Sequence, residues 1–353
     1  MRTLCLTGLA VGCVLHLCAG LAVGQTTTPR PADQVIAEIE KAAMPPMTPD
    51  QRKDKELREK YWADQAKAQA RQAELAWELY LSDPSHADLD KHLQARWRHL
   101  AQQQDLDGVL KETARVVAER KGNPIAGTAA FYHADATGDK HGNASKEFVK
   151  AIEAYRKIEP DKPRGATLYM TLAGAEKDPA AAKKAYRAVM ELYPSTRTAR
   201  TAEGKIRQAE GVGKPFKLDF TDAITGDKVS MNKLKGKVVV VDFWATWCGP
   251  CIAEMPHMKE LYAQYKDKGV EFIGVSLDNP EDKGGLTALK EYCKTNEIGW
   301  PQYYQGAGWD SEFSGSWGIN GIPALFIVDK QGNLHSTKAR GKLEEMIPEL
   351  LKR

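Results

Sequence analysis

The run Val238-Val239-Val240-Val241-Asp242-Phe243-Trp244 leads almost directly into Trp247-Cys248-Gly249-Pro250-Cys251. A segment so rich in β-branched and aromatic residues reads as a buried central strand. Pro250 suits the first turn of a helix, where no backbone N–H is required. Strand, tight turn and helix then place two cysteines at a helix N-terminus, where the macrodipole and free N–H groups favour thiolate over thiol. Two cysteines three apart on such a turn can close a disulfide with little backbone movement. The expected chemistry is redox.

Two other readings use the same cysteines. A Cys-x-x-Cys pair is also half of many zinc sites, which need two more Cys or His ligands. Beyond the N-terminal leader only Cys293 remains, and His257 stands in the same helix as Cys251. No metal is therefore expected. A purely structural disulfide closing so short a loop would restrict the unfolded chain little.

The chain begins Met1-Arg2, continues through an apolar stretch from Leu4 to Val23, and reaches Ala22-Val23-Gly24 before Gln25. A basic start, an apolar core and small residues at the end form the pattern of a secretory signal. Cleavage after Gly24 would remove Cys5, Cys13 and Cys18, leaving too few cysteines for a disulfide scaffold. An uncleaved anchor is the alternative. Ala10-Val11-Gly12-Cys13 faintly resembles a lipoprotein box, but apolar residues continue past Cys13. No second apolar run reaches the roughly 18 residues that span a bilayer. The expectation is a protein secreted across the inner membrane, in the periplasm or at the cell surface. A net charge of +3 gives no electrostatic case for nucleic acid.

A length of 353 residues suggests two domains. The expected layout is a signal peptide over 1–24, a Thr/Pro-rich linker over 25–33, a helical domain over 34–212 and an α/β domain over 213–353. Leu89, Leu93, Trp97 and Leu100 share one helix face, with Ser85 as a candidate N-cap. Residues 51–81 read as one extended helix, and Asp178-Pro179 opens another. Ala151, Tyr155 and Pro163 recur 31 residues later as Ala182, Tyr186 and Pro194. This echo resembles a short, degenerate tetratricopeptide repeat, whose usual period is about 34. Stacked helices of that kind bind a protein or pack on a neighbour.

Past Gly211-Val212-Gly213-Lys214-Pro215, a hairpin is expected around Thr225-Gly226-Asp227, followed by the central strand. A second buried strand (270–277), a helix near 283–297, a strand at 324–329, an edge strand at 334–337 and a helix over 342–352 follow. That order implies an α/β sheet of mixed strand direction.

Residues 213–353 resemble the thioredoxin superfamily, specifically its extracytoplasmic TlpA/ResA-like thiol–disulfide oxidoreductases. The motifs are Phe243-Trp244-Ala245-Thr246-Trp247-Cys248-Gly249-Pro250-Cys251, then Glu254-Met255-Pro256, then Gly321-Ile322-Pro323. The resemblance implies that Cys248 is the exposed attacking thiol and Cys251 the resolving thiol, exchanging through a mixed disulfide. Asp242 occupies the place of the buried acid of thioredoxins, and Glu254 that of the functional glutamate of ResA-like proteins. Having both departs from the ResA-like pattern and leaves open which one serves Cys251. An acid inside a valine run has no cheap structural explanation. Ile322-Pro323 resembles the cis-proline that faces the disulfide, with the Ile322 backbone presented to substrate. Trp247, Gly249 and Pro250 border the docking surface, Trp244 reads as core, and Pro256 would kink the helix. Cys293 falls on an apolar helix face and reads as a buried thiol.

The function expected is exchange of a Cys248–Cys251 dithiol with protein disulfides, without a cofactor. Gly249-Pro250 is the dipeptide of thioredoxin, near roughly −270 mV against roughly −120 mV for a strong oxidant, so a reductant is favoured. The resemblance suggests a membrane-embedded thiol reductase as electron donor and substrates such as apocytochrome c. A peroxidase is a weaker reading, since peroxiredoxins carry Thr where this chain has Ala245. A helical-repeat adaptor with an inert thioredoxin-like module would need neither the cysteine pair nor the acid.

Overall fold

The computed structural model describes residues 29–353. The expected signal peptide and residues 25–28 of the expected linker lie outside the described residues, and the rest of that linker runs directly into α1. The chain forms two compact units, Met1–His99 and Leu100–Arg353.

The first unit holds α1 (Ala32–Ala42), α2 (Pro49–Lys53) and α3 (Lys55–Ser82), while α4 (Leu89–Gln102) spans the point of division. The single helix expected over 51–81 is broken at Asp54. Its carboxylate accepts the Leu57 N–H at 2.9 Å and so caps a new helix instead of continuing the old one. Helix α4 begins at Leu89, and Ser85 lies outside it. Leu89, Leu93 and Trp97 form its buried face, as their spacing predicts.

The second unit opens with α5 (Leu106–Glu119), α6 (Pro124–His141), α7 (Lys146–Ile158), α8 (Gly165–Ala175), α9 (Pro179–Leu192) and α10 (Arg197–Gly211). The 31-residue echo corresponds to two successive helix pairs, α7–α8 and α9–α10, each joined through its proline. Tyr155 is fully buried in the core of α6, α7 and α8. The small residue that makes room for it is Gly165, where a Cβ would lie 2.9 Å from Tyr155 and 2.2 Å from the Tyr193 hydroxyl. Asp178 caps α9 through the N–H groups of Ala180 and Ala181.

The remaining elements are β1 (Asp219–Thr221), β2 (Lys228–Ser230), β3 (Val238–Trp244), α11 (Gly249–Tyr265), β4 (Val270–Ser276), α12 (Gly285–Thr295), β5 (Gln302–Tyr304), α13 (Glu312–Ser316), β6 (Ala324–Val328), β7 (Leu334–Ser336) and α14 (Leu343–Lys352). Strands β1 and β2 form the expected hairpin. The five-stranded sheet has the order β5-β4-β3-β6-β7, with β3, β4 and β5 parallel and β6 and β7 antiparallel to their neighbours. Every residue of β3 is buried, which is why its sequence is a continuous apolar run and not an alternation.

The compact units do not divide at the expected 212–213 boundary. The segment after α10 is paired with the sheet: Gly213 N–H donates to Leu334 O at 2.8 Å and Leu334 N–H to Lys214 O at 2.9 Å. Helix α10 itself lies against residues 317–318, where Gln208 donates its side-chain amide to Trp317 O.

Candidate active site

The central strand ends at Trp244, whose indole N–H donates to Gln302 Oε1 at 3.0 Å, fixing the ring in the core. The turn that follows is held from β4. Asp278, buried just past that strand, accepts the Thr246 N–H at 3.0 Å and the Thr246 hydroxyl at 2.6 Å. The Ser276 hydroxyl donates to the other Asp278 oxygen at 2.8 Å. These bonds fix the chain immediately before Trp247. No motif marks Asp278; its sequence signal is a polar pair closing a buried strand.

Cys248 is the N-cap of α11, and Pro250 lies in the first turn. Cys248 and Cys251 are joined as a disulfide. The Cys251 backbone N–H donates to Cys248 Sγ at 3.2 Å, placing a free N–H of the helix start on that sulfur. Cys248 is not the exposed member of the pair that the resemblance implies. It is 5 % exposed against 3 % for Cys251, because its sulfur is turned under Ile322 O at 3.8 Å. A disulfide sulfur carries no proton, so this approach is a contact; a Cys248 thiol could donate there. The Ile322–Pro323 peptide is cis, and the Ile322 carbonyl faces the disulfide. Trp247 stands beside the site, 47 % exposed, its ring 6.0 Å from that of Trp309. Arg197 of α10 places its guanidinium 5.7 Å from the far-separated Trp309 ring, so the helical region reaches the rim of the site.

Asp242 is 4 % exposed in the middle of β3, in register with Gly274 on β4 and Leu325 on β6. Among the described residues its carboxylate accepts no hydrogen bond. Burial, and secondarily the Glu254 carboxylate, pushes it up to about 7. Glu254 lies one turn past Cys251, half-buried, and its carboxylate is engaged by Arg340 through Nε at 2.9 Å and a second guanidinium nitrogen. No local pattern points to Arg340, which stands 86 positions from Glu254 in the chain. Pro256 sits inside α11. Cys293 is a buried free thiol, pushed up to about 12 by burial and the nearby carboxylates of Asp222 and Asp278. Among the described residues no group of three or more His, Cys, Asp or Glu side chains could hold a metal ion.

The AhpC/TSA family model matches residues 212–337. The thiol-disulfide oxidoreductase ResA of Bacillus thuringiensis is 34 % identical over 142 residues, 40 % of this chain and 78 % of its own length. The chain belongs to the ResA-like thiol-disulfide oxidoreductases of the thioredoxin superfamily. The ResA of Bacillus subtilis is 28 % identical over 41 % of this chain and 75 % of its own. A thiol:disulfide interchange protein of the thioredoxin family from Chlorobium tepidum is 27 % identical, covering 39 % of this chain and 94 % of its own at a TM-score of 0.33. Residues before 212 fall outside the family match. With a thioredoxin-like fold and a joined Cys248–Cys251 pair, this ResA-like chain is a thiol-disulfide oxidoreductase.

Proposed function

We propose that the chain is an extracytoplasmic reductant of protein disulfides, with Cys248 attacking, Cys251 resolving and Asp242 taking the resolving thiol's proton. The observation that carries this reading is the Cys251 N–H directed at Cys248 Sγ. Charge on that sulfur is stabilised by the helix start, so Cys248 is the thiolate and the better attacking group. Its thiolate attacks one sulfur of a substrate disulfide. That S–S bond breaks, the other substrate sulfur leaves as a thiolate, and a mixed disulfide forms. Cys251 then passes its proton to Asp242 and attacks Cys248 Sγ, releasing the second substrate thiolate. The substrate gains two electrons and the pair closes to the disulfide seen here. A carboxyl poised near neutrality suits that proton transfer.

The cis Ile322–Pro323 segment supports docking of an extended substrate stretch beside the disulfide, with Trp247, Gly249 and Pro250 as its border. The family resemblance supports apocytochrome c cysteines as substrates and a membrane-embedded thiol reductase as electron donor. Secretion rests on the leader pattern, with cleavage at Gln25; N-terminal sequencing of protein from the native host would show Gln25 first, whereas a lipidated Cys13 would replace this with a lipoprotein.

The direct test is a Cys251→Ala variant, which should accumulate mixed disulfides through Cys248 with insulin or an oxidised cysteine-pair peptide. Accumulation in a Cys248→Ala variant instead would reverse the roles. The AhpC/TSA match raises peroxide reduction as a second reading, but Ala245 stands where peroxiredoxins carry Thr. Peroxide consumption outpacing insulin reduction would favour it.

A further inference from the structure

Arg340 lies in a tight turn, Ala339-Arg340-Gly341-Lys342, closed by the Lys342 N–H donating to Ala339 O at 3.0 Å. Gly341 supplies the positive φ of +69° that the turn requires. The turn is tied to the sheet at one point: the Ala339 N–H donates to Leu325 O at 3.1 Å. Leu325 is the residue of β6 directly opposite Asp242, and it follows cis-Pro323 by two positions. From the other side, the Arg340 guanidinium grips Glu254, three residues past Cys251 on α11. The backbone and the ion pair thus form a circuit running from Asp242 through Leu325, Ala339, Arg340 and Glu254 to Cys251.

We propose that Arg340 is a positioning residue of the thiol–disulfide reaction, holding Glu254 as a bound carboxylate so that Asp242 alone serves as the proton acceptor for Cys251. This rests on the reading of Asp242 given above and decides between the two acids the sequence left open.

The pair is partly exposed, 34 % for Glu254 and 50 % for Arg340. An ion pair so placed contributes little to stability, so its effect falls on local charge and position. Glu254 without its cation would be a free negative group near a buried carboxyl whose ionisation it already opposes. It would also be free to compete for the Cys251 proton. The other charged and titratable groups around the circuit include Cys248 at the start of α11, Cys251 and His257 on it, Glu344 on α14, Lys338 and Lys342 beside the turn, and the partly buried Lys205 of α10, which is opposed by Lys338. His257 and Glu344 satisfy each other at 2.7 Å, which leaves Arg340 as the cation on Glu254.

The test is the pH dependence of single-turnover reduction of a disulfide peptide by the full chain. Loss of the cation makes the site more negative and keeps Asp242 protonated to higher pH. Arg340→Gln should therefore move the acid limb of the profile up, by about one pH unit, and slow turnover most below pH 7. Arg340→Lys should restore most of it. Adding Glu254→Gln to Arg340→Gln should cancel the upward movement, because Arg340 acts through Glu254. A limb in Arg340→Gln that coincides with wild type would overturn the proposal, as would an unchanged displacement in the double variant. Should Arg340→Gln not fold, a Glu254→Gln limb that fails to move down relative to wild type would overturn it instead. A wild-type chain with no disulfide exchange at all would remove the underlying reading and the proposal with it.

Discussion

Gly204 on α10 and Gly318, just after α13, approach so closely that a Cβ on Gly204 would lie 2.0 Å from the Gly318 nitrogen. Gly318 has a φ of +62°, and a Cβ there would lie 2.7 Å from Thr201 O. The helical region is thereby packed backbone to backbone on the segment that leads, through Ile319, to cis-Pro323.

That contact predicts an inverted response to a helix-favouring substitution. Gly204→Ala inside an exposed helix would add about 1 kcal/mol of stability by propensity. Here the overpacking outweighs that gain, and the variant should lose about 1–3 kcal/mol. Urea denaturation monitored by fluorescence checks the sign. A Gly204→Ala chain more stable than wild type would mean that α10 does not pack on residues 317–318.

Cys248 and Cys251 are both buried in the disulfide and differ little in exposure, so the difference in their reactivity is electrostatic. In the reduced protein Cys248 should be alkylated at neutral pH about tenfold faster than Cys251, because the Cys251 N–H at the helix start stabilises its thiolate. Peptide mapping after brief iodoacetamide treatment checks this. Preferential labelling of Cys251 would contradict the assignment.

Much of this site is legible in the sequence, and what is not shares a cause. The valine run predicts β3 because both its faces are buried, and Cys248-Gly249-Pro250-Cys251 predicts a capped helix start from local rules. The acid at 242 declares itself by being the wrong residue for its strand. Asp278 and Arg340 do not, because each acts through a partner far away in the chain, Thr246 in one case and Glu254 in the other. Strand β5 leaves no pattern in the sequence because it is three residues long and begins with a polar side chain. Gln302 is nonetheless fully buried, holding Trp244 and pressing on Gly274. The burial of Cys248 depends on the Ile322 carbonyl, which no local pattern reports.

Asp242 makes stability depend on pH. Its folded value of about 7 lies above its ordinary 3.8, so the folded chain binds the extra proton. The stability this contributes is complete below about pH 4 and is lost as pH rises through about 7. At pH 8 the buried charge costs on the order of 4 kcal/mol. Asp242→Asn should therefore be more stable than wild type at pH 8, match it near pH 4, and release the mixed disulfide more slowly. Denaturation midpoints for both chains across that range check it. A constant gap at every pH would show that Asp242 titrates normally.

Cys293 should be inert while the chain is folded. Its thiol is buried on α12 and pushed up to about 12, so almost no thiolate forms at pH 8. Native treatment with a thiol reagent should leave Cys293 unmodified, unfolding should release it, and Cys293→Ala should keep full exchange activity while losing about 1–2 kcal/mol of stability. Rapid native modification of Cys293 would contradict the packing described.

The claim that the Cys248–Cys251 pair works as a protein-disulfide reductant is tested most directly by its reduction potential, measured by equilibrating the full chain in dithiothreitol or glutathione buffers and quantifying the closed disulfide. A value near that of thioredoxin, about −270 mV, is predicted. A value near about −120 mV, that of a strong disulfide donor, would contradict it, since the pair would then pass its disulfide to substrates instead of removing theirs.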